Sequence, residues 1–406
     1  MAGAASQARE FEASPAASPR PVILVFVRHY LPGYRCGPIR SVANLVAELG
    51  TAFDFRIVTL DRDAGEAQPY PDIATDLSWR IVGNARVLYL SPAQARLPEV
   101  VRILRNTPHD VLYLNSFFDP NFTIASLFAR LLRLAPIRPC ILAPRGEFSP
   151  GALALKFAKK RLFLRVAGLC GLYRGLTWQA SSEPERRDIL RTLGAIAEGR
   201  IESVPNIAAE AGPVEVSLPR QPGDLLRICF LSRISAKKNL LGALEMLNQV
   251  RTLVLFDIYG PVEDEGYWQH CREVIARLPA SVSVTHRGSI PHDRVHAVLA
   301  TYDLFFLPTL GENFGHVIHE ALSAGTPVLI ADTTPWRGLE AAGAGWDLPL
   351  DKPKAFAEVI DMMAELPLDE HVKLRKGARS LAERGIMDRG AVDASARMFM
   401  VAIGRT

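Results

Sequence analysis

The sequence predicts an α/β protein of two Rossmann-like, doubly wound parallel-sheet domains that face each other across a cleft. Three observations predict it. Short apolar runs rich in β-branched residues recur along the chain with helix-like stretches between several of them, the alternation of a parallel sheet with crossover helices. The same rhythm restarts after GPVEVSLPRQPGD, 212–224, a segment with the Pro, Gly and polar content of an interdomain linker. At roughly 150 residues per domain, 406 residues make two or three domains.

Taken in order, residues 1–20, rich in Ala, Ser and Pro, read as a flexible tail. The first domain then spans 21–211. It opens with a strand at Val22 to Val27, the turn LPGYRCGP and a helix over Ile39 to Leu49. Further strands are predicted at Phe55 to Leu60, Val111 to Asn115, Cys140 to Ala143, Leu176 to Ala180 and Ile201 to Val204. The second domain, 225–387, repeats the pattern with strands at Leu226 to Leu231, Leu253 to Tyr259, Val282 to His286, Leu304 to Pro308 and Pro327 to Ala331. Residues 388–406 read as a final helix that crosses back to the first domain. Such sheets bind ligands at the carboxyl ends of their strands, so function is sought in the crevice between the domains.

Composition narrows the class. With 49% hydrophobic and 22% charged residues, the chain is neither disordered nor collagenous. Its five cysteines are scattered and form no C-x-x-C pair, which points away from a disulfide framework or a cysteine zinc site and toward a reducing, cytoplasmic compartment. No apolar run reaches the 18 or so residues of a membrane span. Charge is unevenly placed: 26 Lys and Arg face 17 Asp and Glu in residues 1–200, against 21 and 26 in the remainder. A basic first half fits an anionic partner or surface, at the inner face of a membrane for instance. The most biased interior segment, Leu155 to Gly175, holds Lys156, Lys159, Lys160, Arg161, Arg165 and Arg174 and no acid. It reads either as a basic amphipathic helix that meets lipid head groups or as a solvated helix face.

Two segments carry chemistry. GENFGHVIHEALSAGTPVLI, Gly311 to Ile330, places a glycine-bounded loop at a strand end and then a helix starting near Phe314 or Gly315. Free amides and the helix dipole there suit a phosphate or a cluster of hydroxyls. Glu312 in the loop and Glu320 in the helix lie at different depths and can hold two hydroxyl-bearing parts of one ligand. In FLSRISAKKNLLGALEML, Phe230 to Leu247, Arg233 and Lys238 follow a strand and flank a helix start, an arrangement suited to a diphosphate.

These residues resemble a known family. SRISAKKN is similar to the arginine and lysine motif of the retaining glycosyltransferase family 4, and GENFGHVIHEALSAGTPV to its E-x7-E signature and EAL-x-x-G-x-P turn. VPN at 204–206, DIYGP at 257–261 and HRGSI at 286–290 fall in the family's order. The resemblance runs from about Pro21 onward and is most specific between Ser203 and Ala331. It implies a GT-B fold and a donor, a UDP- or GDP-sugar, held mainly by the second domain. On that basis Arg233 and Lys238 bind the donor diphosphate, Glu320 accepts bonds from the ribose hydroxyls and Glu312 contacts the transferred sugar. The amides of Asn313, Phe314 and Gly315 bind sugar hydroxyls or phosphate oxygens, His316 bonds near the sugar, and Arg287 and Gly288 border the base. In the first domain Gly37 stands in the family's glycine loop, with Pro38 where a second, adjacent glycine is usual. Arg145, in LAPRGEFSPGAL, replaces a histidine common in the family; it is assigned to the donor phosphate or the acceptor, with Glu147 orienting it.

The chemistry implied is retaining transfer to a saccharide or lipid-linked saccharide, in cell-surface polysaccharide assembly. As the nucleoside diphosphate leaves, Arg233, Lys238 and the helix start stabilise its growing negative charge. No Asp-x-Asp motif stands where it would suit a donor-bound metal, so neither metal nor cofactor is expected. His316, His319 and Glu320 share a helix but lack the H-E-x-x-H pattern. Trp336 either shapes the sugar pocket or belongs to the core. Alternatives within reach of the sequence are a nucleotide-sugar epimerase and a dinucleotide-dependent oxidoreductase, the latter disfavoured by the lack of G-x-G-x-x-G after the first strand. Nucleic-acid binding has no recognisable module to accompany the basic half.

Overall fold

The computed structural model describes residues 19–33, 37–63, 65–73, 76–154, 157–209, 222–387 and 389–404. Most of the expected tail and of the 212–224 linker therefore lies outside the described residues. The first sheet has eight strands: β1 (Val22–Phe26), β2 (Asp54–Leu60), β3 (Arg80–Val82), β4 (Ala85–Leu90), β5 (Val111–Asn115), β6 (Cys140–Ala143), β7 (Leu176–Ala180) and β8 (Ile201–Ser203). They run in the order β3-β4-β2-β1-β5-β6-β7-β8. All neighbours are parallel except β3, which returns antiparallel on β4 at the edge. The continuous apolar run VILVF follows from this position, since β1 is covered on both faces by helical layers and buries Ile23, Leu24, Val25 and Phe26 completely.

The second sheet has β9 (Leu226–Leu231), β10 (Val254–Tyr259), β11 (Val282–Gly288), β12 (Leu304–Leu307), β13 (Val328–Ala331) and β14 (Gly345–Leu348). Its order is β11-β10-β9-β12-β13-β14, all parallel. Strand order reverses on either side of β1 and β5 in the first sheet and of β9 and β12 in the second. At such switch points neighbouring loops diverge and leave a crevice. Three strands, β3, β4 and β14, are absent from the sequence reading: β4 carries exposed Arg86 in mid-run, and GWDL offers too few apolar residues to signal a strand.

The helix Gly390–Ile403 packs on the helix Gly37–Leu49 of the first domain. Phe399 is completely buried there, edge-on to Phe53, Phe55 and Tyr113 at centroid distances of 5.5, 6.0 and 5.5 Å. Among the described residues no helix is long and apolar enough to cross a membrane. Cys140, Cys170, Cys229 and Cys271 are free thiols, and Cys36 lies outside the described residues.

Candidate active site

A cavity of about 280 Å³ opens between the domains, at the carboxyl ends of both sheets. The first domain contributes Gly37, Pro38, Arg40, Ser41, Arg145 and Asn206, and the second the loops after β9, β10, β11 and β12. The loops after β9 and β12 flank the second switch point and are stitched together. Asn239 Nδ2 donates to the Pro308 carbonyl at 2.8 Å, and the Leu310 amide to the Lys237 carbonyl at 2.9 Å. Asn239 holds φ at 57°, a left-handed conformation that Asn tolerates better than most residues, and it turns the chain from Ala236–Lys238 into the helix Leu240–Leu247.

This stitching brings Lys238 onto Glu312. Their ammonium and carboxylate are in direct hydrogen-bonded contact, with side-chain exposures of 13% and 12%. Thr309 Oγ1 donates to the same Glu312 oxygen at 3.2 Å. Lys237, which the sequence reading passed over, also lines the cavity; burial lowers its pKa, and the Glu312 charge opposes that shift. Arg233 reaches the wall, but Nη1 donates to Glu263 Oε1 at 2.6 Å and the side chain is 39% exposed. It is therefore a shared cation at the rim, not the freely presented grip that the motif suggests.

After β12 the loop closes on Gly315, the cap of the helix His316–Ser323. Its φ of 79° is left-handed, which favours glycine; a Cβ there would also lie 2.8 Å from Ile318 Cδ1, a side-chain end that can move aside. Trp336 fixes this turn from outside the cavity, donating Nε1–H to the Phe314 carbonyl at 2.6 Å and packing edge-on to the Phe314 ring. Asn313, Phe314, Gly315, His316 and Glu320 all line the cavity. Burial pushes the Glu320 carboxyl up to about 7 against the opposing pull of the Arg40 guanidinium. His292 Nδ1 stands 3.7 Å from its Oε1.

His316 bridges the domains, its Nε2 lying 3.0 Å from Ser41 Oγ. Burial, and next the charge of Arg145, push its pKa down to about 3, so the ring is neutral. His319 is buried beside Ser323 instead, with Ser323 Oγ 3.4 Å from its Nδ1. The two histidines thus have separate partners.

Two assignments are corrected. Arg287 is turned onto Asp257, with Nε to Oδ1 at 2.9 Å, is 47% exposed, and with Gly288 stays off the cavity wall; Ser289, Ile290 and His292 line it instead. The following glycine turn carries the chain past Arg287 before it reaches the cleft. Glu147 does not orient Arg145. Its carboxylate accepts from Ser116 Oγ at 2.7 Å and from the amides of Phe117 and Phe118 at 2.5 and 2.9 Å, which fastens the loop after β5 to the loop after β6. Arg145 is held by Tyr113, Asn115 and Asn206. Arg40, Ser41 and Asn206 were missed as site residues, although Asn206 closes the VPN motif. The one signal for Arg40 is its place as the lone cation of the helix Gly37–Leu49, in the first turn.

Comparison with known proteins follows this geometry. Residues 219–381 match the family described as Glycosyl transferases group 1. WcaL of Escherichia coli (strain K12), assigned to colanic acid biosynthesis as a glycosyltransferase, is 26% identical over 42% of this chain and 43% of its own length. The 2-deoxystreptamine glucosyltransferase of Streptomyces kanamyceticus is 28% identical over 34% of this chain and 37% of its own. The chain thus spans less than half the length of the curated relatives it matches. The crystal structure of Anabaena Alr3699/HepE in complex with UDP and glucose superposes with a TM-score of 0.65 at 17% identity, covering 95% of this chain and all of that one. None of these three names an epimerase or an oxidoreductase. The protein has the GT-B fold of two-domain glycosyltransferases, with the group 1 glycosyltransferase match falling on its second domain.

Proposed function

We propose that this protein is a retaining glycosyltransferase that moves a sugar from a nucleoside-diphosphate sugar to a saccharide or lipid-linked saccharide during polysaccharide assembly. The observation that carries the reading is the convergence, in one interdomain cavity, of the Lys238–Glu312 pair, the helix start at Gly315 and Glu320. Lys238, with Lys237 and rim-shared Arg233, neutralises the diphosphate. The amides before His316 add the positive end of the helix dipole. Glu320 takes the ribose hydroxyls and Glu312 a hydroxyl of the sugar.

In the transfer step the bond from the anomeric carbon to the phosphate oxygen breaks, and its electron pair goes to that oxygen. The acceptor hydroxyl bonds to the same face of the carbon, and its proton passes to the departing phosphate. Cations already fixed where charge accumulates need no reorganisation at that moment, which is why they accelerate the step. Anabaena HepE, crystallised with UDP and glucose, supports a nucleotide-sugar donor for this fold. Calorimetric titration with a panel of UDP- and GDP-sugars is expected to find at least one ligand with a Kd of about 1 μM–1 mM. No binding across the panel would refute the reading.

The lipid-linked acceptor is supported by the helix Phe157–Leu169, whose exposed surface includes Leu162, Val166 and Leu169 beside Lys159, Arg161 and Arg165. Apolar groups flanked by cations suit an anionic bilayer surface. Lys160 is turned inward, to the Ala152 carbonyl and over the Phe118 ring. Changing Lys159, Arg161 and Arg165 together to Gln is expected to abolish salt-sensitive co-sedimentation with phosphatidylserine-containing vesicles. Equal sedimentation of wild type and triple variant would refute this docking face.

A further inference from the structure

The first-domain side of the cavity, away from the Lys238–Glu312 pair, is furnished with donors rather than acceptors. Arg145 adopts a left-handed backbone conformation, φ 56°, at the start of the loop after β6, and the surrounding loops fix its guanidinium. Nε and Nη2 donate to Asn115 Oδ1 at 3.0 and 2.7 Å, Nη1 to Asn206 Oδ1 at 2.5 Å and Nη2 to the Tyr113 hydroxyl at 2.7 Å. Every one of these oxygens is neutral; the Glu185 carboxylate beside the turn accepts instead from the Gly146 amide and from the Ser181 amide and hydroxyl.

Donors accumulate around this cation. Nη2 of Arg40, Nδ2 of Asn313 and Nδ2 of Asn115 are buried with no hydrogen-bond partner among the described residues, and Asn115 itself is 2% exposed. Asn313 belongs to the loop expected to meet the transferred sugar. It touches the Arg145 turn closely enough that a Cβ on Gly146 would sit 3.4 Å from its Cγ. Burial chiefly depresses the His316 pKa, and the charges of Arg145 and, more weakly, Arg40 act in the same direction.

A sugar hydroxyl both donates and accepts, and a lining built for hydroxyls alone mixes the two roles. Buried donors around a guanidinium oriented by neutral oxygens call for a group that only accepts and carries negative charge, which in a sugar is a carboxylate. The planar fork of arginine suits such a group better than an ammonium does.

We propose that Arg145, flanked by Arg40 and Asn313, is a specificity site for the carboxylate of a uronic acid in the cleft, carried by the donor's transferred sugar or by the acceptor. The inference rests on the nucleotide-sugar reading above and deepens it. Calorimetry on the full chain separates the two sources. In the donor arm, UDP-glucuronate is compared with UDP-glucose and GDP-mannuronate with GDP-mannose. In the acceptor arm, methyl glucuronide and methyl glucoside are titrated into protein saturated with UDP or GDP.

The acidic ligand is expected to bind at least about tenfold more tightly than its neutral counterpart in one arm, as fits a charge-assisted bond. That ratio is expected to fall to about one or below in Arg145→Gln. Asn313→Asp keeps the Arg145 network intact, sets a competing carboxylate beside it and is expected to give the same loss, so the test survives if Arg145→Gln does not fold. Preference in the donor arm identifies the transferred sugar as the uronate, and preference in the acceptor arm identifies the acceptor. Equal affinities in both arms, or a preference that survives both substitutions, overturns the inference and leaves the transferase reading standing if nucleotides still bind. Failure to bind any nucleotide overturns both.

Discussion

Lys238→Ala is expected to lower kcat/KM by about 10²–10³-fold, the loss typical when one preorganised charge-stabilising group is removed from an active site. The leaving diphosphate loses a proposed cation that is only 13% exposed, whereas Arg233 is shared with Glu263 at the rim. The variant also strands Glu312. A carboxylate with only 12% side-chain exposure would then keep Thr309 as its remaining donor. Breaking a fully buried ion pair costs about 3–5 kcal/mol, and the residual exposure here puts the expected loss near the lower end. Steady-state kinetics and thermal melts on the same samples separate the two effects. Adding Glu312→Gln to Lys238→Ala is expected to recover most of the stability and none of the turnover. Turnover at the wild-type rate in Lys238→Ala would refute the donor assignment.

Donor affinity is expected to be flat above about pH 7.5 and to weaken as pH falls through 7, approaching tenfold per unit. The cause is Glu320, whose carboxyl burial holds at about 7, with Arg40 pulling the other way and His292 alongside. Ribose hydroxyls donate to a carboxylate, so the donor must expel a proton when it binds below that value. Stability runs in the opposite sense. The native state binds the proton more tightly than the unfolded chain, whose carboxyl titrates near 4.5, so this group's contribution falls as pH rises from about 4.5 to 7 and is constant outside that window. Glu320→Gln is expected to raise stability at pH 8, where the native state otherwise holds a buried charged carboxylate, and thermal melts check this. It is also expected to lose about 10–100-fold in donor affinity there, as fits bonds to a charged group, and to flatten the pH profile. Calorimetry with a nucleotide sugar from pH 5.5 to 8.5 tests this, since the diphosphate diester does not titrate in that range. An unchanged slope in Glu320→Gln would assign the titration elsewhere.

The fold was legible wherever burial on both faces forces long apolar runs. β1, β5, β6, β7 and β9 fall within a residue of their expected bounds. The β12 loop and its helix were legible because glycine, the two glutamates and the flanking strands constrain one another. What stayed hidden depends on partners distant in sequence. Nothing near Arg287 announces that Asp257, thirty residues earlier, takes its guanidinium, nor does LAPRGEF show that Glu147 turns to the Phe117 and Phe118 amides while Asn115 and Asn206 hold Arg145. Arg40 and Ser41 become site residues only when the domains meet, where Ser41 finds His316 275 positions away. Local pattern records what one segment buries, and it is silent on which remote side chain a charged tip will reach.

The seat of Phe399 among Phe53, Phe55 and Tyr113 bears on how this molecule is made. One face of the first sheet is finished by a ring that leaves the ribosome more than 280 residues after the strands it covers. Until translation has passed that position the early strands must wait with an apolar notch uncovered. Completion of the first half is thus timed by synthesis of the second, and the unit that matures as a whole is the pair.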